Sequence, residues 1–511
     1  MDTTESRAQP LRVLLELRPA LDKHAGIPQQ TRLLFRGLSL LDGIKVEGLI
    51  QTSMNALRAG LPAQGARRRR LPRHRQIDRL SRVIIMLEQR FLRSKFSAMP
   101  ALVRRVLGLR ERLSIFDASN FKDYIWRRLF ARSLPPKDFD TVTQPSFRIA
   151  RTPWTAMHVC RAIGQVFGLR LFPRLDTRGF NVMIAETPYP GRVSRGTRLV
   201  VRYHDAIPLL MPHTISDRRH HQAFHYRALR DNIESGAWFV CVSEATRRDL
   251  LAVFPEVADR SVTIHNVVSH EYFLDDSSPA RVPEILAMRL NPKVHGRASG
   301  SRRTFHSVDS ASASHPYLLM VSTIEPRKNH LSLLAAWERL RCEGHPSLRL
   351  VLVGHLGWHH AAIITAIRPW VERGDAFFLS DVPSPNLRVL YRHARATICP
   401  SFAEGFDLSG IEAMASGGLV CASDLPVHRE VFEDAAVFFN PYSIDDLTAS
   451  ISRLLALDAS SRRRMSSHAQ ELTQRYSADR ILARWKELLL GFAEELPTET
   501  STVRLNAECR T

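Results

Sequence analysis

The sequence predicts an α/β protein of two parallel-sheet domains, on three observations. Short apolar runs of strand type alternate with amphipathic helical stretches through both halves of the chain. A Ser/Arg/His-rich stretch, Val282–His315, separates the halves and holds too little apolar surface to order itself strongly. The length, 511 residues, exceeds what one compact core accommodates.

The elements follow in order. A buried-type strand at Arg12–Leu17 leads through the turn Lys23–Pro28 into an amphipathic helix, Gln29–Leu41, and a second strand, Lys45–Gln51. Strands resume at Asn181–Glu186, Leu199–His204 and Trp238–Ser243, each followed by a helical stretch, and Ser261–Asn266 closes the half. Between them, Asn55–Thr177 breaks the rhythm and reads as a helical insertion, with mixed apolar and basic pieces such as Val83–Phe96 and Leu102–Leu113. The second half predicts strands at Tyr317–Ser322, Arg349–Gly354, Ala376–Leu379, Ala396–Cys399, Leu419–Ala422 and Ala435–Phe439. Helices are expected at Leu331–Arg341, Ala361–Val371, Asn386–His393, Gly410–Ala415 and Ser477–Phe492. The expected domains are 1–281 (with an insertion at 55–177), a flexible linker 282–315, a second domain 316–476, a helix 477–495 crossing back to the first, and a tail 496–511.

Composition narrows the function classes. At 44% apolar and 24% charged residues the chain is an ordinary globular one, and its apolar runs fall short of the ~18–20 residues that cross a bilayer. The N-terminus, MDTTESRAQPLRVLLEL, lacks the pattern of a secretory signal. Six scattered cysteines without a C-x-x-C pair read as free thiols of a reducing compartment. The expected location is therefore cytoplasmic. The net charge of +21 is local: between Arg58 and Arg132, 20 Lys and Arg stand against five acids, giving +15. Aromatics interleaved with arginine there suit amphipathic helices in an anionic headgroup layer, although stacking on single-stranded nucleic acid uses the same residue types.

Two stretches carry candidate chemistry. Pro400–Gly418, PSFAEGFDLSGIEAMASGG, follows a strand, opens a helix and sets Glu404 and Glu412 around its start with seven residues between them. Unpaired backbone N–H groups at a helix start bind anions, and a nearby carboxylate holds hydroxyls, a combination that suits a nucleotide-sugar. Ser409-x-x-Glu412 also reads as a capping box, which would account for Glu412 alone. Val321–His330, VSTIEPRKNH, lies between strand and helix at the carboxyl end of the strand, where open parallel sheets bind ligands.

These stretches resemble the donor-site signature of family 4 glycosyltransferases, retaining enzymes of the GT-B fold with two Rossmann-like domains facing across a cleft. The resemblance implies that Arg327 and Lys328 bind the donor diphosphate, and that Glu412 holds the ribose hydroxyls. It further implies that Glu404 contacts the transferred sugar, and that the N–H groups of Phe406, Asp407 and Leu408 face diphosphate and sugar. The sequence departs from the pattern at Ser322-Thr323, where many members have Gly-Arg, and at Asp407 and Ser409, where most have Gly and Pro. In the first half VVRYHDAIPLL ends a strand at His204-Asp205. His204 aligns with a strand-end histidine facing the cleft, and Asp205 is expected to orient it. Gly26, in the turn Ala25–Pro28, resembles a glycine loop near donor or acceptor.

The implied function is retaining transfer of a sugar to a glycan or lipid-linked acceptor in cell-surface polysaccharide synthesis. YHDAIPLLMPHTI favours mannose, so the donor is GDP-mannose or else a UDP-sugar. No cofactor, metal or specific nucleic acid is expected, and Arg58–Arg132 is a candidate membrane-surface contact. The competing class is a non-catalytic nucleic-acid- or membrane-binding protein on a degenerate scaffold of the same fold. A glycogen- or sucrose-type synthase is disfavoured, because the first half lacks a Lys-x-Gly-Gly loop.

Overall fold

A computed structural model describes residues 9–21, 26–63, 71–88, 103, 109–166, 172–215, 218–295 and 315–494. By contact the chain forms two compact units. One comprises Met1–Arg202, Ala228–Phe239 and Asp479–Thr511; the other comprises Tyr203–Arg227 and Val240–Ala478.

The first sheet has eight strands: β1 (Leu11–Glu16), β2 (Ile44–Ile50), β3 (Ser114–Phe116), β4 (Phe147–Ile149), β5 (Val182–Ala185), β6 (Arg198–Tyr203), β7 (Trp238–Cys241) and β8 (Ser261–Thr263). Their order is β8-β7-β6-β5-β1-β2-β4-β3. β1 pairs in parallel with β2 and β5, and only the edge strand β3 is shown running antiparallel, against β4. Helix α1 (Ile27–Leu40) follows β1 and buries Leu33, Leu34, Phe35 and Leu38. In the same unit the helix Ala478–Glu494 places Leu482 so close to Gly37 of α1 that a β-carbon at Gly37 would overlap it.

The second sheet is wholly parallel: β9 (Tyr317–Val321), β10 (Arg349–Val353), β11 (Ala376–Leu379), β12 (Ala396–Cys399), β13 (Val420–Ser423) and β14 (Ala436–Phe439). The order β11-β10-β9-β12-β13-β14 gives a doubly wound sheet. Its strands are buried on both faces, which is why they read as continuous apolar runs rather than alternating ones.

Three expectations change. The stretch 55–177 holds a helix, Arg73–Glu88, but it also supplies β3 and β4, so it is not a purely helical insertion. SIF and FRI are three-residue strands, too short for a period to register in sequence. The stretch 282–315 is not all linker. Arg281–Arg289 is a helix burying Val282, Ile285 and Leu286, because VPEILAM carries an apolar face at helical spacing. The unit boundary also differs from the one expected at 281, since Val240–Ala478 groups together. The run Arg67–Arg70, the rest of the presumed linker (296–314) and the tail 496–511 lie outside the described residues.

Candidate functional site

From β9 the chain winds outward through β10 and β11, and from β12 the other way through β13 and β14. Neighbouring strands whose connections leave in opposite directions open a crevice at their carboxyl ends. The loops in that position are 322–329, after β9, and 400–407, after β12. They are the two stretches singled out in the sequence.

The first loop stays registered on the chain beyond β10. Ser322 N donates to Val353 O at 2.9 Å and Ile324 N to His355 O at 2.8 Å. Gly354 permits this approach, since a β-carbon there would lie 1.9 Å from Ser322 O. Pro326–Lys328 then form one 3₁₀ turn, and Asn329 takes the left-handed conformation (φ 59°) while its side chain donates to Pro441 O at 3.1 Å. Arg327 and Lys328 are thereby fixed just ahead of helix α2 (His330–Cys342).

The second loop is anchored from several sides. Phe402 N donates to Arg327 O at 2.9 Å, joining the two loops. Gly405 rests on the main chain of His204. The Gly405 carbonyl accepts from Ser243 Oγ at 2.8 Å and Thr246 Oγ1 at 3.2 Å. Asp407, left-handed at φ 61°, caps helix α3 (Leu408–Ala415), its Oδ1 accepting from Ser409 N at 3.1 Å and Ser409 Oγ at 2.6 Å. Asp407 rather than Ser409 is the N-cap, so the capping-box reading of Glu412 does not describe this helix.

The loops meet in an ion cluster. Glu404 pairs with Lys328 Nζ through Oε1 and with Arg327 Nη1 through Oε2 at 3.1 Å. Arg327 also pairs with Glu325 at 2.7 Å and donates to Ala403 O. The Glu404 side chain is 9% exposed. Burial works against its charge, but the fields of Arg327 and Lys328 outweigh burial and hold its pKa below the usual carboxylate value. For Glu325 burial wins, and its pKa is raised despite the same two cations. Arg327 is likewise buried, yet Glu404 and Glu325 keep its pKa above the ordinary guanidinium value.

Glu412 lies one turn into α3, buried, with the Tyr391 phenol donating to its Oε2 at 3.4 Å. The Tyr272 phenol shares the carboxylate, and the two rings meet edge to face at 6.0 Å. Burial first, and then the Glu412 charge, pushes both phenol pKa values well up. Sequence reasoning missed both tyrosines: they stand 119 residues apart on separate elements, with no local signature.

The remaining candidates divide. Phe406 is buried, its ring 5.3 Å from Tyr476 and 6.0 Å from His265, and Leu408 is the first residue of α3. His204 directly follows β6, and its main chain lies against Gly405 of the 400–407 loop. Asp205 Oδ1 accepts from Ile207 N at 3.0 Å, so its carboxylate starts the short helix Ile207–Leu210, and its charge also supports Arg327. Gly26 belongs to the first unit, where it caps α1 at φ 69°, a conformation that favours glycine. Among the described residues no group of three or more His, Cys, Asp or Glu is arranged to hold a metal ion.

The sequence matches the family described as glycosyl transferases group 1 over residues 302–472. It is similar to the O-antigen chain mannosyltransferase B of Escherichia coli, 29% identical over 263 residues, covering 51% of this chain and 62% of that protein. It is also similar to the serotype-specific mannosyltransferase WbdA of E. coli, 34% identical over 172 residues, covering 33% of this chain and 21% of that protein. The chain thus spans less than two thirds of either relative. Among solved structures, sucrose-phosphate synthase from Thermosynechococcus elongatus aligns with a TM-score of 0.54 at 15% identity, covering 95% of this chain and all of that one. HepE from Anabaena, solved with UDP and glucose, aligns with a TM-score of 0.54 at 14% identity, covering 94% of this chain and all of that one. These structures share the GT-B fold. Residues 302–472 thus resemble the group 1 glycosyltransferases, and the chain has the GT-B fold.

Proposed function

We propose that this protein transfers a sugar from a nucleotide-sugar donor to a glycan or lipid-linked acceptor in cell-surface polysaccharide synthesis, with retention at the anomeric carbon. The observation that carries the reading is the cluster of Arg327, Lys328 and Glu404 at the switch point of the second sheet, with Glu412 on the adjoining helix. Arg327 and Lys328 take the donor diphosphate, Glu412 the ribose and Glu404 the hydroxyls of the migrating sugar. As the bond from the anomeric carbon to the diphosphate breaks, negative charge grows on the leaving group. A cation ~4 Å away at an effective dielectric of ~20 stabilises it by about 4 kcal/mol before desolvation. The acceptor hydroxyl bonds to the anomeric carbon on the face the diphosphate leaves, and its proton passes to that diphosphate.

Mannose is the sugar and GDP-mannose the donor. The mannosyltransferases among the relatives support this, as does the YHDAIPLLMPHTI stretch. His204 stands on the side of the transferred sugar, and Asp205 holds the turn that presents it. Working at the cytoplasmic face, the chain meets the membrane through its basic segment. The described helix Arg73–Glu88 buries Leu80, Val83 and Leu87 but leaves Ile85 49% exposed, along with Arg73, Arg75, Arg79 and Arg82 on the same helix. No helix of the described residues is long and apolar enough to cross a membrane.

Incubation with GDP-[14C]mannose and, separately, UDP-[14C]glucose over mannose-terminated acceptors tests the reading. Label should move from GDP-mannose into product as an α-linkage. Transfer from the UDP-sugar alone would overturn the donor assignment, and a β-linked product would overturn retention.

A further inference from the structure

The Asp407 carboxylate presents an electrostatic problem that the fold has answered. It belongs to the loop whose N–H groups are assigned to the donor diphosphate, and it shares the field of the neighbouring ionic groups. Its charge is favoured by Lys328 and opposes that of Glu404. A carboxylate free to turn toward Lys328 would compete with phosphate oxygens for the same cation and repel them.

It does not face that way. Oδ1 is occupied by Ser409 N and Oγ, and Oδ2 by His428 Nε2 at 3.1 Å. His428 is fixed in turn: Nδ1 lies 2.8 Å from Ser423 O at the end of β13, and the ring stacks on Phe432 at 5.2 Å. The His428 side chain is fully buried and that of Asp407 is 5% exposed, so the pair is sealed inside the protein. His428 reaches the loop from a separate element, the short helix Pro426–Phe432.

We propose that His428 is a positioning residue which holds the Asp407 carboxylate away from the donor diphosphate, and thereby sets donor affinity. This role rests on the reading of the 404–408 loop as a nucleotide-sugar site. Removing the imidazole alone leaves the buried Oδ2 without its partner, in the field of the Lys328 cation. Removing both side chains leaves nothing to repel the donor, and a glycine at 407 takes the left-handed conformation without strain.

The test is calorimetric titration of the full chain with GDP and with UDP, alongside thermal unfolding. His428→Ala should bind the preferred nucleotide about tenfold or more weakly than wild type. In the Asp407→Gly background the same change should cost nothing, the double variant Asp407→Gly/His428→Ala binding as Asp407→Gly does even if its Tm stays low. A merely structural histidine predicts the opposite, a double variant no better than His428→Ala, and that result overturns the role. Unchanged affinity in His428→Ala overturns it as well. Should His428→Ala fail to fold, Asp407→Asn/His428→Ala decides: it should bind as Asp407→Asn alone does, and a loss of about tenfold relative to that variant contradicts the account. A wild type that binds neither nucleotide overturns the donor reading and this role together. Normal wild-type binding with no rescue overturns the role alone.

Discussion

Gly405 lies against the main-chain carbonyl of His204, so closely that a β-carbon at 405 would stand 1.8 Å from that oxygen. The Gly405 carbonyl is held at the same time by Ser243 and Thr246. The loop carrying Glu404 therefore cannot retreat without breaking hydrogen bonds. Gly405→Ala should cost about 1–3 kcal/mol, as overpacking does, and displace Glu404 from Lys328. Thermal unfolding should show a lowered Tm and a GDP titration a weakened affinity. An alanine variant equal to wild type in both would show that the loop has slack.

Lys328 pairs with Glu404 across the two loops, and its ammonium is assigned to the donor diphosphate in the proposed function. Lys328→Ala should lower the transfer rate on the order of 10²-fold. Lys328→Arg, which keeps the charge, should retain more of it. Initial rates at saturating donor distinguish the two, and equal rates for wild type and Lys328→Ala would remove Lys328 from the chemistry.

Stability should depend on pH through His330, the first residue of α2. Burial, with the like charge of Lys328 adding to it, pushes its pKa down from 6.5 to about 3. The unfolded chain takes up that proton near pH 6.5 and the folded chain does not until about pH 3. The contribution is thus complete above 6.5 and declines as pH falls, at about 1.4 kcal/mol per pH unit. Below roughly pH 4.5 the depressed carboxylates Glu404, Glu47 and Glu430 lose theirs too. Urea unfolding at pH 7, 6 and 5 should show wild type falling more steeply than His330→Gln. Parallel slopes would mean that His330 charges freely in the fold.

The basic helix Arg73–Glu88 should bring the protein to anionic vesicles. Replacing Arg73, Arg75, Arg79 and Arg82 by Gln should weaken cosedimentation with phosphatidylglycerol vesicles by about 1 kcal/mol per charge and leave GDP binding intact. Binding unaffected by these changes would place the membrane contact elsewhere.

Much of this was legible in sequence, for physical reasons. Parallel strands buried on both faces leave continuous apolar runs, so β9 to β14 were expected within a residue or two of their observed ends. The two loops stood out because turn residues, charge and strand–helix context coincide there. The three-residue strands β3 and β4 were hidden by their shortness, and helix Arg281–Arg289 by its polar neighbours. At the site no local pattern marks Tyr272, Tyr391 or His428, which reach Glu412 and Asp407 from other elements. The extra carboxylate of Asp407 was visible, but its direction was not, because direction depends on a partner 21 residues away.

The central claim, a nucleotide-sugar site between the 322–329 and 400–408 loops, is tested most directly by thermal shift with GDP, UDP and ADP on wild type and Glu412→Ala. A nucleotide at 100 times its Kd should stabilise the wild type by about 2.7 kcal/mol. The account predicts a shift with GDP that vanishes in Glu412→Ala. No shift with any nucleotide, or an equal GDP shift in the variant, would contradict it.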